Sequence, residues 1–195
     1  MSDVFGRVRI EDVATISQQK YLLRLITLSW QRNDGSWKTQ QREVYDKGNG
    51  AVILLYNRER RSVVLIRQFR LAAFLNGYSK LLVEAAAGGL EGDTPQERIR
   101  KEVSEETGYA LGRVDQVFEA FMSPGVFTEK LYFFVAEYDP GLRPGTGGGL
   151  AEEGEDIEVF ELSFEQAYAM MTCGEILDAK TIMLLQYARI NLFPG

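Results

Sequence analysis

Glu102, Glu105 and Glu106 crowd the last turns of a segment whose two ends are marked in the sequence. Thr94, Pro95 and Glu97 form a capping box with proline at the first helical position, and Gly108 supplies the stop, so residues 93–107 are expected to be one helix. Three negative charges near the negative end of the macrodipole are each disfavoured by roughly 0.3–1 kcal/mol. Turning each residue by about 100° puts Ile99 and Val103 on the core stripe, with Glu102 and Glu106 overlapping its edge on one shared face. Two hard oxygen donors placed this way suit a divalent cation such as magnesium. A solvated acidic helix balanced by Arg98, Arg100 and Lys101 is the alternative.

Composition narrows the chemistry. The chain has no histidine, which excludes histidine-based triads, histidine zinc sites and the usual neutral-pH base. Carboxylates, lysine, tyrosine and metal-bound water remain for any hydrolysis. A formal charge of −6 argues against a nucleic-acid partner, and an acidic protein that handles phosphates needs metal to do so. Cys173 is the only cysteine and is expected in or near the core. The amino terminus has no apolar signal core and the longest apolar runs are strand-sized, so the expectation is a cytoplasmic protein with no membrane partner.

The elements that must position these residues are readable from pattern. At 195 residues the chain holds one domain, or a domain plus a small appendage. Segments 21–30 and 37–45 are β-rich and flank the turn Asn33-Asp34-Gly35, making residues 1–46 a β-rich amino-terminal piece ahead of a domain over 47–195. Strands are expected at 51–56, 62–68, 80–85, 114–121, 130–138 and 157–162. Ser163 with Gln166 caps a helix through 172, and Asp178 opens a last one through 190. Gly145 through Gly149 run into Glu152, Glu153, Glu155 and Asp156 as a flexible acidic loop able to close as a lid. The resulting class is α/β, a sandwich with a β-rich extension.

Residues 87–109 resemble the Nudix box, Gly-x5-Glu-x7-Arg-Glu-U-x-Glu-Glu-x-Gly-U with U a bulky apolar residue. Glu102, Val103, Glu105, Glu106, Gly108 and Tyr109 fill its second half, while Ala87, Asp93 and Lys101 stand where the pattern has Gly, Glu and Arg. Both charged departures keep their sign, so an altered supporting network is expected rather than a dead site. Arg42-Glu43-Val44-Tyr45-Asp46, Ile66-Arg67-Gln68-Phe69-Arg70, Ser123-Pro124-Gly125 with Thr128-Glu129, Gly147-Gly148-Gly149, Glu155-Asp156-Ile157-Glu158 and Asp178 with Lys180-Thr181 extend the likeness to the ADP-ribose and GDP-mannose pyrophosphatase branch of the Nudix hydrolases, closest to GDP-mannose hydrolases.

That resemblance implies a Nudix α/β/α sandwich, and a homodimer whose amino-terminal strands reach the partner's site. The implied reaction is metal-dependent hydrolysis of a nucleotide sugar at its pyrophosphate, with GDP-mannose giving GMP and mannose 1-phosphate. ADP-ribose, giving AMP and ribose 5-phosphate, is the rival substrate, and a non-catalytic nucleotide-sensing module the rival class. Magnesium is the implied metal and manganese a substitute. Glu102 and Glu106 are the expected ligands, joined through the resemblance by the Ala87 carbonyl and Glu155. The resemblance makes Glu153 the general base, with Glu152 an alternative. Glu105 is left to orient a ligand, pair with an arginine or stand in as base, and Glu106 counts among the catalytic groups. Arg67 and Arg70 are natural phosphate clamps on opposite faces of a strand, and the resemblance favours Arg70. Arg42, Glu43, Ala87, Gly88, Glu129, Glu155 and Lys180 are carried over as substrate-binding residues.

Overall fold

The computed structural model describes residues 4–194, without the side chain of Glu153; the first three residues of the amino-terminal stretch lie outside it. The chain forms two compact units, Met1–Asn49 with Phe121–Lys130, and Gly50–Ala120 with Leu131–Gly195.

In the first unit, β1 (Val8–Gln18), β2 (Leu22–Gln31) and β3 (Trp37–Asp46) form an antiparallel sheet in that order. The β2–β3 hairpin turns where expected: Gly35 takes φ +84°, and Asp34 Oδ1 accepts from the Ser36 N–H at 2.9 Å. β1 carries no strand period in its sequence, where charged and apolar residues mix. Its register slips at Ile10/Asp12 and Thr15/Ser17 account for that, since each bulge resets the alternation. Residues 121–130 join the end of β3, where the Tyr45 N–H donates to the Val126 carbonyl at 2.8 Å and the Tyr45 ring meets Phe127 edge-on.

The second unit is built on β4 (Gly50–Asn57), β5 (Ser62–Gln68), β8 (Asp115–Phe121), β9 (Lys130–Glu137) and β10 (Glu158–Ser163), ordered β10-β5-β4-β9-β8. β4 is buried along both faces and lies parallel to β9, which is why it reads as an unbroken apolar run. β4 and β5 pair only near their turn, from Leu55↔Val64 to Asn57↔Ser62. Beyond it they diverge, and the chain returns through the gap: β6 (Leu82–Glu84) pairs with β5 and β7 (Ala86–Gly89) with β4. The run 85–89 is all alanine and glycine because it lies inside the sheet under a helix.

That helix is α2 (Pro95–Glu102), which with the turn that follows it seats Ile99 and Val103 in a core with Ala51, Ile53, Leu55, Ala86 and Phe134. The alternate side chains of β4 point the other way, where Tyr56 meets Phe193 just beyond α4 (Ala179–Asn191), and α3 (Phe164–Thr172) packs on α4. The unit is an α/β/α sandwich. A short α1 (Leu71–Leu75), which has no side-chain cap to mark it in the sequence, follows β5. Cys173, expected in or near the core, is exposed where α3 ends. Among the described residues no helix is long and apolar enough to cross a membrane.

Both capping boxes form as expected, at Thr94/Glu97 and Ser163/Gln166. The box helix does not stay α-helical to its end, however: Val103–Thr107 widen into a π-helical turn before Gly108 stops it at φ +76°. The glycine-rich loop explains how this end is held. Gly149 and Gly148 N–H groups donate to the carbonyls of Glu105 and Glu106 at 3.1 and 2.9 Å, and Arg143 Nε donates to the Thr107 carbonyl at 3.0 Å. The expected flexible lid is therefore docked on the helix end. Gly147 sits at φ +70°, where a Cβ would lie 2.5 Å from the Glu106 carbonyl oxygen. Gly147→Ala is expected to destabilise the protein by at least about 1 kcal/mol in denaturant unfolding, against a near-neutral change at solvent-open Gly112.

Candidate active site

The π-helical turn and β7 meet at the two box glutamates. Glu102 and Glu106 are 5% and 2% exposed. Each is anchored by one oxygen. Arg98 Nε and Nη2 both donate to Glu102 Oε1, at 2.7 and 2.6 Å, and the Ala87 N–H donates to Glu106 Oε2 at 3.1 Å. Every fully buried side-chain nitrogen or oxygen among the described residues has a partner, whereas Glu102 Oε2 and Glu106 Oε1 accept no hydrogen bond there. Those two oxygens are thus open to solvent although both residues are buried.

Gly88 makes this possible. A Cβ at residue 88 would lie 1.6 Å from Glu102 Oε1 and 2.1 Å from its carboxyl carbon, so the Glu102 side chain runs through the space a larger residue would fill. Gly149 does the same for Glu155, whose Oε2 would lie 2.5 Å from an added Cβ and accepts from the Leu150 N–H at 3.0 Å.

Withdrawal from water pushes the Glu102 carboxyl up to about 7, with Arg98 opposing and Glu105 and Glu155 reinforcing the shift. Burial raises Glu106 well above the usual carboxylate range, and the charges of Glu102 and Glu155 raise it further. Glu105 and Glu155 thus act on Glu102, and Glu102 and Glu155 on Glu106, with Arg98 and Arg70 as the opposing cations, an arrangement that a bound divalent cation would relieve. Among the described residues no three acidic side chains already converge as a closed metal cage. The donor set fits a cation held on two open carboxylate oxygens.

The pattern's departures find each other: Lys101 Nζ pairs with Asp93 Oδ2 at 2.6 Å, so the shorter acid and the lysine form their own bridge. Arg98, read at first only as a surface counter-charge, is mostly buried and also reaches Glu91 at 3.3 Å. Its four-residue spacing to Glu102, which Arg100 lacks, is the sequence signal that marks it. Glu105 is half-buried and its carboxylate makes no hydrogen bond or ion pair among the described residues. The Glu153 side chain, named as general base, lies outside the described residues.

Arg67 is engaged with Glu158 at 2.7 Å and stacks over Phe160, away from Arg70. Arg70 grips Glu84, with Nε–Oε1 2.7 Å and Nη2–Oε2 2.9 Å, and Lys180 pairs with Asp178 and Glu84. Arg42, Glu43 and Glu129 belong to the other unit; Arg42 donates to Gln40 and Gln41, and Glu129 pairs with Lys47 at 2.6 Å.

Two outcomes are expected from this geometry. A carboxyl whose folded pKa is raised stabilises the fold fully below its usual value of 4.5 and loses that contribution as pH climbs through the folded value, near 7 for Glu102. Unfolding free energy in chelator should therefore fall between about pH 4.5 and 8, by roughly 3 kcal/mol from Glu102 alone, and the fall should be shallower in Glu102→Gln. Gly88→Ala should weaken divalent-cation binding as severely as Glu102→Gln does, read by calorimetric titration; wild-type affinity in the alanine variant would show that Glu102 is no ligand.

The comparisons agree with this geometry. The family model for the GDP-mannose pyrophosphatase NudK N-terminal domain matches residues 7–45, and that for the NUDIX domain matches residues 46–185. A GDP-mannose pyrophosphatase from Enterobacter sp. (strain 638) is 52% identical over 177 residues, covering 90% of this chain and 92% of that protein. One from Pectobacterium atrosepticum is 50% identical over 185 residues, 94% of this chain and 95% of its own length. A third, from Citrobacter koseri, is 53% identical over 173 residues, 88% and 90% of the two chains. With most of its length matched by the NUDIX domain, and with the box glutamates set on one helix face against β7, the chain belongs to the Nudix family.

Proposed function

We propose that this protein is a Nudix pyrophosphohydrolase that cleaves the pyrophosphate bond of a nucleoside diphosphate sugar, GDP-mannose being the substrate and GMP and mannose 1-phosphate the products. One observation carries the reading: two buried carboxylates, each tethered by one oxygen and open at the other. The similarity to three GDP-mannose pyrophosphatases over nearly the whole chain supports the choice of substrate. ADP-ribose is the competing substrate, as the branch resemblance groups the two.

Nudix hydrolases generally need a divalent metal. Here Glu102 and Glu106, with Glu155 and the Ala87 carbonyl, would hold it, magnesium in first place and manganese in second. When bound it supplies neutralisation of the pyrophosphate charge and an acidified water. Arg98 keeps Glu102 oriented by holding its inner oxygen, and the Ala87 N–H does so for Glu106. Arg70 offers its remaining guanidinium edge to a phosphate. Glu153 takes the proton of the attacking water, and Glu105, whose carboxylate makes no hydrogen bond among the described residues, is the reserve base.

We further propose a homodimer, as the branch resemblance implies, and the first unit supports it. Ile10, Val13 and Ile16 of β1 are each half-exposed or more, an apolar row that a second copy would cover. We place the protein in the cytoplasm, with neither a nucleic-acid nor a membrane partner.

Incubating GDP-mannose, ADP-ribose and other sugar nucleotides with magnesium or chelator, with products identified, tests the reaction. GMP and mannose 1-phosphate should appear fastest, and only with metal; AMP and ribose 5-phosphate appearing faster would transfer the assignment to ADP-ribose. Glu102→Gln and Glu106→Gln should each lower turnover at least about 100-fold while the fold survives. Removing residues 1–40 should give a monomer or aggregate with weakened substrate binding, and a fully active monomer would refute the dimer.

A further inference from the structure

Glu84 is one of the most buried charged residues of the chain, 1% exposed, and no step above uses it. It ends β6, opposite Ile66 of β5. Both of its oxygens are taken by the Arg70 fork, and Lys180 Nζ stands 3.5 Å from Oε2. Behind them, Asp178 accepts from Lys180 through Oδ1 and from the Thr181 N–H and hydroxyl through Oδ2, while Thr181 Oγ1 accepts from the Ala85 N–H at 2.7 Å.

The layering is the informative part. The two anions are inside, with the Glu84 and Asp178 side chains 1% and 9% exposed, and the two cations are outside, with Arg70 at 42% and Lys180 at 20%. Arg70 Nη1 has no hydrogen bond among the described residues. Buried acids that serve only to close an ion pair do not require their cations to face water. Here Glu84 contacts both cations, and the Arg70 guanidinium keeps an edge free of it. The same stretch of backbone, residues 84–88, then carries the Ala87 N–H that anchors Glu106 and the Gly88 gap that admits Glu102. The cations and the carboxylate pair are thus held in register by a few covalently linked residues within the sheet.

We infer that Glu84 is a positioning residue, holding Arg70 and Lys180 as a two-pronged clamp for the pyrophosphate of the substrate. This rests on the hydrolase reading above for the identity of the ligand, but not on the choice of base or sugar. Glu84 itself touches no substrate; it acts through Arg70. Its neutral isostere keeps the shape of the side chain and loses the charge that fixes the fork.

Inorganic pyrophosphate with magnesium, the moiety shared by all the sugar nucleotides considered, is the probe. In Glu84→Gln its Kd should rise about tenfold or more, the worth of one lost charge-assisted interaction. KM for GDP-mannose should rise in parallel, with kcat changed less than about threefold. Placed on Arg70→Ala, the same substitution should add nothing, because the residue through which it acts is gone. Wild-type pyrophosphate affinity in Glu84→Gln, a loss confined to kcat, or losses that multiply in the double variant would each overturn the assignment. Should Glu84→Gln not fold, Arg70→Lys serves: it keeps the charge at an exposed position and removes the fork, so Kd should rise as much, and an unchanged Kd overturns the clamp. A wild-type protein that binds pyrophosphate with this pattern yet leaves GDP-mannose intact would support the clamp while refuting the substrate.

Discussion

Holding Glu102 and Glu106 out of water on one helix face, where the charge of Glu102 adds to burial in raising the Glu106 carboxyl, is unfavourable, and much of the second unit is arranged to make it tolerable. Neither carboxylate is neutralised outright. Arg98 and the Ala87 N–H each satisfy one oxygen and leave the other open, so the strain left over favours a cation. Close approach of the helix to β7 is what brings these partners within reach. That approach requires the alanine and glycine run at 85–89, and the run in turn requires β4 and β5 to part and admit it.

The far end of the same helix shows a second consequence. A helix that ends in acids cannot use a basic last turn to satisfy its carbonyls. The glycine loop supplies backbone N–H groups instead, and Arg143 brings the missing positive charge from 36 residues away. Docking the loop there also delivers Glu155 into the field of the two box glutamates. Stability of the helix end and assembly of the acidic site are therefore one event.

Features set by local chemistry were legible. Both capping boxes, the Asn33-Asp34-Gly35 turn and the strands flanking it, and the shared face of Glu102 and Glu106 follow from neighbouring residues, and the structure places them close to where the pattern indicates. What escaped was set by partners distant in sequence. A π-helical turn cannot be told from an α-helical one without the loop that docks on it. Ala87-Gly88-Gly89 reads as a tight loop, though residues 86–89 are a strand inserted in a sheet. Among the helix cations, Lys101 bridges to Asp93 and Arg100 donates to the Leu111 carbonyl, partners off the helix face that spacing does not reveal, whereas Arg98 on Glu102 had a local cue in its four-residue spacing. Glu84 carried no signal, because its burial depends on Arg70 and Lys180 arriving from either side.

The claim on which the rest hangs is that the two open carboxylate oxygens form the cation site, and that they are protonated in part when no cation is there. Magnesium titration of the metal-free protein near pH 7, repeated in buffers of different ionisation enthalpy, measures both at once. Binding should expel on the order of one proton per protein, and both the heat and the proton release should collapse in Glu106→Gln. Metal binding with no proton release, or undiminished in that variant, would place the cation elsewhere and contradict the reading.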